Sequence, residues 1–548
     1  MRDVQSIYKL WIDKVDDVEL SDELKQMDSK RITDSFYKDI EFGTGGLRGE
    51  IGAGTNNLNI YTIGRITEGV ARYVENMGGK RVAISYDSRI KSDLFAMTAA
   101  QVFAAHNIKV VLTNTLMPTP YLSYMVRHYN CAVGVMITAS HNPKQYNGYK
   151  VYGSDGCQLT DEDADIVTNL IEIVDSFSVH KMDVSAAFSS GLIIYSHKDV
   201  KALYLQNVYD CAVRHNAENL KITYSALNGT GIQLVPAILS MIKAEVSLVK
   251  CQCVPDGNFP TCPYPNPEKK EALLKGLMQA QEENSDILIA TDPDADRMGV
   301  AVNTKDGFKL LTGNEVGALM ADYLLREKPY NNDKKPIIIK TIVTTKLVQS
   351  LCETYGAELI DVYTGFKYIG EQIAELEEKG EVNRFILGFE ESYGYLAGSY
   401  VRDKDAVLAS MLIAEIAAFY KKNNKTLCDR MDELYKQYGY VQHKLLSYKF
   451  DGSAGNAKMK DVLENLRKNL PTEIEGLKIC KTTDYMQDGI GMRKSNVLKF
   501  EFENKSEFIL RPSGTEPLIK AYLTAVEDEK LNEITFTKLS VFLLQLMK

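Results

Sequence analysis

The segment Ile287-Leu288-Ile289-Ala290-Thr291-Asp292-Pro293-Asp294-Ala295-Asp296-Arg297 runs from a short apolar stretch straight into a polar loop carrying three aspartates. An apolar run this short, bounded by turn-forming residues, predicts a buried strand. The same grammar recurs along the chain. Residues 82–86 lead into Asp87-Ser88-Arg89, residues 133–137 into Thr138-Ala139-Ser140-His141-Asn142-Pro143, and residues 222–227 into Asn228-Gly229-Thr230-Gly231. Residues 337–340 open a unit whose helix carries Leu347, Val348, Leu351 and Tyr355 on one face and should stop at Gly356, while residues 385–387 run into Gly388-Phe389-Glu390-Glu391-Ser392. Apolar run, polar loop and helical pattern together predict βα units of mainly parallel sheets, with the polar loops at the carboxyl ends of strands, where open α/β sheets bind ligands.

Near the end the pattern changes. Residues 497–502, a Glu503-Asn504-Lys505 turn and residues 508–510 read as an antiparallel hairpin, so a last domain of another class should begin near residue 442. A chain of 548 residues exceeds one hydrophobic core, and about 150 residues per domain suggests roughly three or four domains. With 45% hydrophobic and 25% charged residues the composition is that of a folded globular protein.

The 64 basic and 73 acidic residues give a net charge of -9 without a concentrated basic stretch, so a nucleic-acid surface is not expected. The polar first ten residues lack a signal-peptide pattern, and the greasiest stretch, 406–420, contains Glu415 and is too short to span a bilayer. A cytoplasmic protein with a buried helix over that stretch is expected. Nine cysteines, an odd number without a CxxC pair, point to reduced thiols; Cys251, Cys253 and Cys262 cluster but lack a nearby fourth Cys or His for a metal.

The alternating Asp292, Asp294 and Asp296 can converge on one point in an extended loop, and three hard oxygen donors suit Mg²⁺. A calcium EF-hand loop is excluded, because its sixth position would be Arg297 and its twelfth Asn303. Such a cation can polarise a further oxygen anion, and a phosphoryl group is the natural guest, with Arg297 as an additional fixed cation. Ser140 stands at a loop tip suited to a covalent nucleophile, although a turn serine would read the same way alone. It is not in a GxSxG elbow, and His141, adjacent in sequence, is not expected to reach it as the base of a hydrolase triad. Arg511-Pro512-Ser513-Gly514-Thr515-Glu516-Pro517 reads as a phosphate cradle. Gly43-Thr44-Gly45-Gly46-Leu47-Arg48-Gly49 is glycine-rich but is not a dinucleotide fingerprint.

Together these loops resemble the α-D-phosphohexomutase family, and the likeness follows the family's order over most of the chain. Residues 138–143 look like its phosphoserine loop, 292–297 its magnesium loop, 388–392 its sugar-recognition loop and 511–515 its phosphate-binding loop. The resemblance implies an α/β architecture of three mixed α/β domains followed by a smaller α+β C-terminal domain around a central cleft. The implied boundaries are 1–200 for the phosphoserine-bearing domain, 201–306 for the metal-loop domain, 307–441 for the sugar-recognition domain and 442–548 for the phosphate-binding domain.

It also implies roles. Ser140 would be the phosphorylated serine, with His141 beside it in the catalytic loop, and its phosphate would complete a Mg²⁺ shell with Asp292, Asp294 and Asp296. Lys150 matches a lysine of acid/base transfer, and Arg48 and Arg297 match arginines near the transferring phosphate. Glu390 and Ser392 would hold sugar hydroxyls, Lys404 would lie near the substrate, and Arg511, Ser513, Gly514 and Thr515 would hold the phosphate that is not reacting. A lysine at its ordinary pKa of about 10.4 is a poor base, so Lys150 either has that value lowered or serves as an electrostatic clamp.

The implied activity interconverts glucose 1-phosphate and glucose 6-phosphate through a bisphosphorylated sugar, glucose 1,6-bisphosphate, which also acts as activator. Tyr393 and Gly394 follow Ser392 where mannose-type relatives tend to carry a His, which favours a glucose-type enzyme; pentose and mannose phosphates remain alternatives. Outside the mutases, the rivals are a metal-dependent sugar phosphatase, which needs no second phosphate cradle, and a sugar-phosphate-binding protein without turnover.

Overall fold

The computed structural model describes residues 3–43, 45–329, 334–450, 452–487, 492–512 and 518–547. They form two compact units, Met1–Ile339 with Gly365–Leu427, and Lys340–Thr364 with Cys428–Lys548.

In the first unit a six-stranded sheet is ordered Gly46–Glu50, Tyr146–Tyr152, Val133–Ile137, Arg81–Tyr86, Lys109–Leu112, Ile193–Tyr195. Arg81–Tyr86 lies parallel to Lys109–Leu112 and Val133–Ile137, through crossovers over the helices Ser92–Ala105 and Thr119–His128. After Val133–Ile137 the direction changes, because the chain passes Ser140 and returns as the antiparallel strand Tyr146–Tyr152. The second sheet repeats the device: Ile287–Thr291 is parallel to Lys221–Ser225, passes the aspartate triplet and returns antiparallel as Met298–Thr304. Phe385–Glu390 likewise returns antiparallel as Gly394–Leu396.

The sheets are thus mixed rather than mainly parallel. The chemical loops do sit at the carboxyl ends of buried strands, but they are hairpin loops. A parallel crossover needs a dozen or more residues. The connections from Ile137 to Tyr146, Thr291 to Met298 and Glu390 to Gly394 are all shorter than that, so the next strand can only run back.

Ahead of the first sheet stand three short helices, Val4–Lys14, Val18–Gln26 and Ser29–Phe36, whose first turns are capped by Asp3, Asp17 and Asp28. They bury Trp11, Leu24 and Phe36 against Tyr61. The helix Ala406–Lys421 is buried along nearly its whole length, as expected. Its Glu415 is tolerated there because the carboxylate accepts the backbone N–H groups of Val213 (2.9 Å), Arg214 (2.9 Å) and His215 (2.6 Å) and the Tyr323 hydroxyl (3.0 Å). Among the described residues no helix is long and apolar enough to cross a membrane. The cysteines are free, and most are buried.

The second unit carries an antiparallel sheet ordered Gln442–Lys449, Leu518–Ala525, Glu507–Pro512, Leu498–Phe502, Leu477–Asp484, Glu473–Ile474. The hairpin read from sequence is present, with Phe500 opposite Phe508. Leu347–Tyr355 ends at Gly356, whose φ of 71° and bond to the Cys352 carbonyl form the cap expected of that glycine.

Glu415→Gln places an amide NH₂ against backbone donors. The substitution is expected to lower stability by roughly 2–3 kcal/mol, read from the shift of the thermal unfolding transition; an unchanged transition would contradict this account of Glu415.

Candidate functional site

The aspartate loop is shaped before it is charged. Ala295 takes a positive φ of 47°, and its N–H closes a turn on the Asp292 carbonyl at 2.9 Å. Asp292 Oδ1 accepts the N–H groups of Asp296 (3.1 Å) and Arg297 (3.0 Å). Thr230 donates both its N–H (2.8 Å) and its hydroxyl (2.9 Å) to the Pro293 carbonyl. Gly229 is required beneath it, since a Cβ there would lie 2.4 Å from Pro293 Cα.

All three aspartates are buried, and one oxygen from each lies within 4.8 Å of the others. Buried anions demand cations or hydrogen bonds. Lys150 Nζ lies 2.8 Å from Asp294 Oδ2 and 3.4 Å from Asp296 Oδ2, and Lys404 Nζ lies 2.8 Å from Asp296 Oδ2 and 3.1 Å from Asp403 Oδ1. Thr119 adds its hydroxyl to Asp294 Oδ2 at 2.8 Å.

Two carboxylate oxygens, Asp294 Oδ1 and Asp296 Oδ1, are buried without any hydrogen-bond partner. Hard oxygens left without a hydrogen bond beside Asp292 fit a divalent cation that prefers oxygen ligands. Burial, together with the neighbouring Asp294 and Asp296, pushes the Asp292 carboxyl well above the ordinary range. At Asp294 burial pushes the same way but Lys150 and Thr119 prevail and hold it below that range. Burial pulls the Lys150 ammonium down, yet Asp294 and Asp296 more than offset this and keep it charged.

Ser140 is 1% exposed and adopts a left-handed φ of 53°. Its Oγ donates to Asp292 Oδ2 at 2.9 Å and lies 3.1 Å from His141 Nδ1. The neighbouring histidine therefore does reach the serine, contrary to the sequence expectation, because the left-handed turn at Ser140 folds the next residue back. It is still not a hydrolase triad: the aspartate touches the serine, and among the described residues no carboxylate hydrogen-bonds the other ring nitrogen. Burial, with Arg297 and Arg48 nearby, pushes the imidazole far below its ordinary pKa and leaves it neutral. Arg48, opposite Gly148 in the sheet, donates to Asn142 Oδ1 of the serine loop at 3.3 Å.

Arg297 is aimed by Glu268, which accepts from its Nη1 at 2.7 Å. Glu390 ends its strand buried, accepts the Gly365 N–H at 2.9 Å, and is pushed up to about 7 by burial, against the pull of Lys404 and Arg297. Ser392 follows in the hairpin turn, half-buried.

The structure thus brings Ser140, His141, Lys150, Asp292, Asp294, Asp296, Arg297 and Lys404 together, with Arg48 and Glu390 beside them. Arg511 stands in the strand Glu507–Pro512 of the other unit, and Ser513, Gly514 and Thr515 lie outside the described residues. Sequence reasoning missed Thr119, Glu268 and Asp403. Thr119 opens a helix after Pro118, and nothing local in its sequence announces an aspartate partner 175 residues away.

Comparison with known proteins finds matching domains along the chain. Residues 39–176, 202–307 and 312–438 match alpha/beta/alpha domains I, II and III of phosphoglucomutase/phosphomannomutase, and 456–535 match its C-terminal domain. The phosphoglucomutase of Staphylococcus epidermidis is 36% identical, over 96% of this chain and 99% of its own. That of Staphylococcus aureus is 35% identical, over 94% and 95%. Two solved structures share the fold. Phosphoglucomutase (parafusin) from Paramecium has a TM-score of 0.70 at 18% identity over 93% of this chain and 95% of that one. A phosphoglucomutase/phosphomannomutase family protein from Burkholderia thailandensis has 0.69 at 20% over 92% and 97%. With its three α/β/α domains, its C-terminal domain and its buried aspartate cluster, the chain belongs to the α-D-phosphohexomutase family.

Proposed function

We propose that the chain is a phosphoglucomutase, interconverting glucose 1-phosphate and glucose 6-phosphate through a phosphoserine at Ser140. The observation that carries this reading is the Ser140 Oγ at 2.9 Å from Asp292 Oδ2, at the edge of a buried carboxylate cluster with two oxygens that lack a hydrogen bond. A phosphate carried on that oxygen would stand beside Asp292.

Asp292, Asp294, Asp296 and the Ser140 phosphate would hold Mg²⁺, which neutralises charge on the transferring phosphoryl group. The Oγ–P bond of phospho-Ser140 breaks as the free sugar hydroxyl forms its own bond to phosphorus. Lys150 passes the proton of that hydroxyl on to the departing Ser140 Oγ, a role that requires Asp294 and Asp296 to be engaged elsewhere. Arg48 and Arg297 bind the transferring phosphate, with His141 kept neutral beside the serine. Glu390, Ser392 and Lys404 hold the sugar, and Arg511, Ser513, Gly514 and Thr515 hold the other phosphate. Glucose 1,6-bisphosphate then turns round, returns its second phosphoryl to Ser140 and doubles as activator. Burial of the site excludes water, whose attack would make the enzyme a phosphatase.

Glucose is preferred over mannose because Tyr393 and Gly394 follow Ser392 where mannose-type relatives tend to place a His. The domain boundaries that go with these roles are 1–200, 201–306, 307–441 and 442–548. The partners are small sugar phosphates, without nucleic acid or membrane, and the location is cytoplasmic.

Ser140→Ala should reduce glucose 1-phosphate turnover by at least about 10³-fold while calorimetric binding of glucose 6-phosphate stays within about threefold; undiminished turnover would sink the mechanism. Chelated enzyme should recover turnover on adding Mg²⁺. Because outer-shell changes alone cost roughly 10–100-fold in metal affinity, Asp296→Asn, which alters a ligand, should need at least about 100-fold more Mg²⁺ for half-recovery.

Glu390 accepts a sugar hydroxyl best as a carboxylate, and burial sets its ionisation near neutrality. Glucose 6-phosphate affinity should therefore rise between about pH 6 and about pH 8, beyond the ionisation of the ligand's own phosphate, and Glu390→Gln should remove that excess. Equal pH dependence in both proteins would exclude Glu390 from binding.

A further inference from the structure

The loop Asp87-Ser88-Arg89 follows a buried strand like the other chemical loops, yet none of the roles above uses it. The Arg89 guanidinium and the Asp87 carboxylate are fully buried and paired, Nε to Oδ2, at 3.4 Å. The two terminal nitrogens of Arg89 are taken up by backbone carbonyls. Nη1 donates to the carbonyls of Pro143 and Tyr146, both at 2.9 Å, and Nη2 donates to the carbonyls of Ser140, at 2.6 Å, and Asn142. The backbone of the serine loop is wrapped around one guanidinium, whose flat face rests on the Phe259 ring, 5.1 Å from its centroid.

Asp87 reaches the same serine from the other side. Its Oδ2 accepts the Thr138 hydroxyl at 2.6 Å, and Thr138 Oγ1 in turn accepts the Ser140 N–H at 2.8 Å. Its Oδ1 accepts the Ser92 hydroxyl at 2.8 Å and the Arg89 N–H at 2.9 Å. Both the N–H and the C=O of Ser140 therefore trace back to Asp87, one through Thr138 and one through Arg89. A non-glycine residue at a φ of 53° is costly and persists only where its surroundings over-determine it.

We propose that Asp87 and Arg89 are positioning residues for the nucleophile, a buried ion pair that clamps the Ser140 backbone in its left-handed turn and so aims Oγ at the aspartate cluster. The clamp touches neither substrate nor metal. Its effect is on the geometry of transfer, where displacement of reacting atoms by about 1 Å can cost about 10²-fold in rate. Lysine cannot replace Arg89, because an ammonium is a point charge and cannot span four carbonyls in one plane.

The inference rests on the assignment of Ser140 as the phosphoryl carrier, so the test carries its own control. Dephosphorylated Arg89→Lys and Thr138→Val enzymes are mixed with glucose 1,6-bisphosphate in single-turnover experiments. Phosphorylation of Ser140 is followed by intact mass, and glucose 6-phosphate binding is measured by calorimetry. Each variant should phosphorylate about 100-fold more slowly than wild type while its sugar-phosphate Kd stays within about twofold, because the clamp acts on position and not on binding. Transfer within about threefold of wild type in the folded variants overturns the clamp, as does a loss of rate matched by an equal loss of binding. If Arg89→Lys does not fold, Thr138→Val, which removes only the hydroxyl relay, decides alone. Ser140→Ala, run alongside, separates the two claims: turnover retained there defeats the serine assignment, whereas a dead Ser140→Ala beside normal clamp variants defeats only the clamp.

Discussion

Three carboxylates buried in one loop form the constraint around which the first unit is built. An ion removed from water costs several kcal/mol even after relaxation, and the cost is offset only by opposite charge and well-formed hydrogen bonds. The aspartate loop draws these from separate parts of the chain: Lys150 from the strand Tyr146–Tyr152, Thr119 from a helix start, Lys404 from the segment after Gly394–Leu396. Neutralising the loop and assembling the site are one event, so Lys150 and Lys404, proposed to act on the substrate, are also groups that make the aspartates tolerable.

The hairpin form of the chemical loops follows from the same demand. A loop that turns straight back keeps its tip short, and a short tip on a buried strand can be held by a few close hydrogen bonds. Asp292 does this within its own loop, accepting two N–H groups downstream. The serine loop adds Asp87 and Arg89 from a neighbouring loop to its own bonds. With Ser140 only 1% exposed, the oxygen that would carry a phosphoryl group is shielded from bulk water before any substrate binds. That shielding separates a mutase from a phosphatase in physical terms.

Much of this was legible in the sequence, because strand burial and loop chemistry are local. The alternating aspartates, the serine after an apolar run, the buried helix around Glu415 and the C-terminal hairpin all follow from residues within a few positions of one another. The antiparallel returns were also written there, in connections too short for a helix, but were overshadowed by the recurring βα rhythm. Partners distant in sequence were not legible. Thr119 and Asp294, Arg89 and the carbonyls of residues 140–146, and Glu268 and Arg297 meet only once the sheets are packed. Backbone carbonyl acceptors carry no sequence signature at all, which is why Asp87-Ser88-Arg89 stood out as a motif without a role. His141 reached its neighbour because of a left-handed φ at Ser140, a conformation that residue type does not predict.

The central claim is that the phosphoryl group on Ser140 passes directly to a sugar hydroxyl. It is tested most directly by isolating enzyme radiolabelled on Ser140 and mixing it with unlabelled glucose 1-phosphate and Mg²⁺ in a quenched-flow experiment. Label should leave Ser140 at least as fast as kcat and appear first in glucose 1,6-bisphosphate and then in glucose 6-phosphate. Label that stays on the protein through many turnovers, or that emerges as inorganic phosphate, would contradict it.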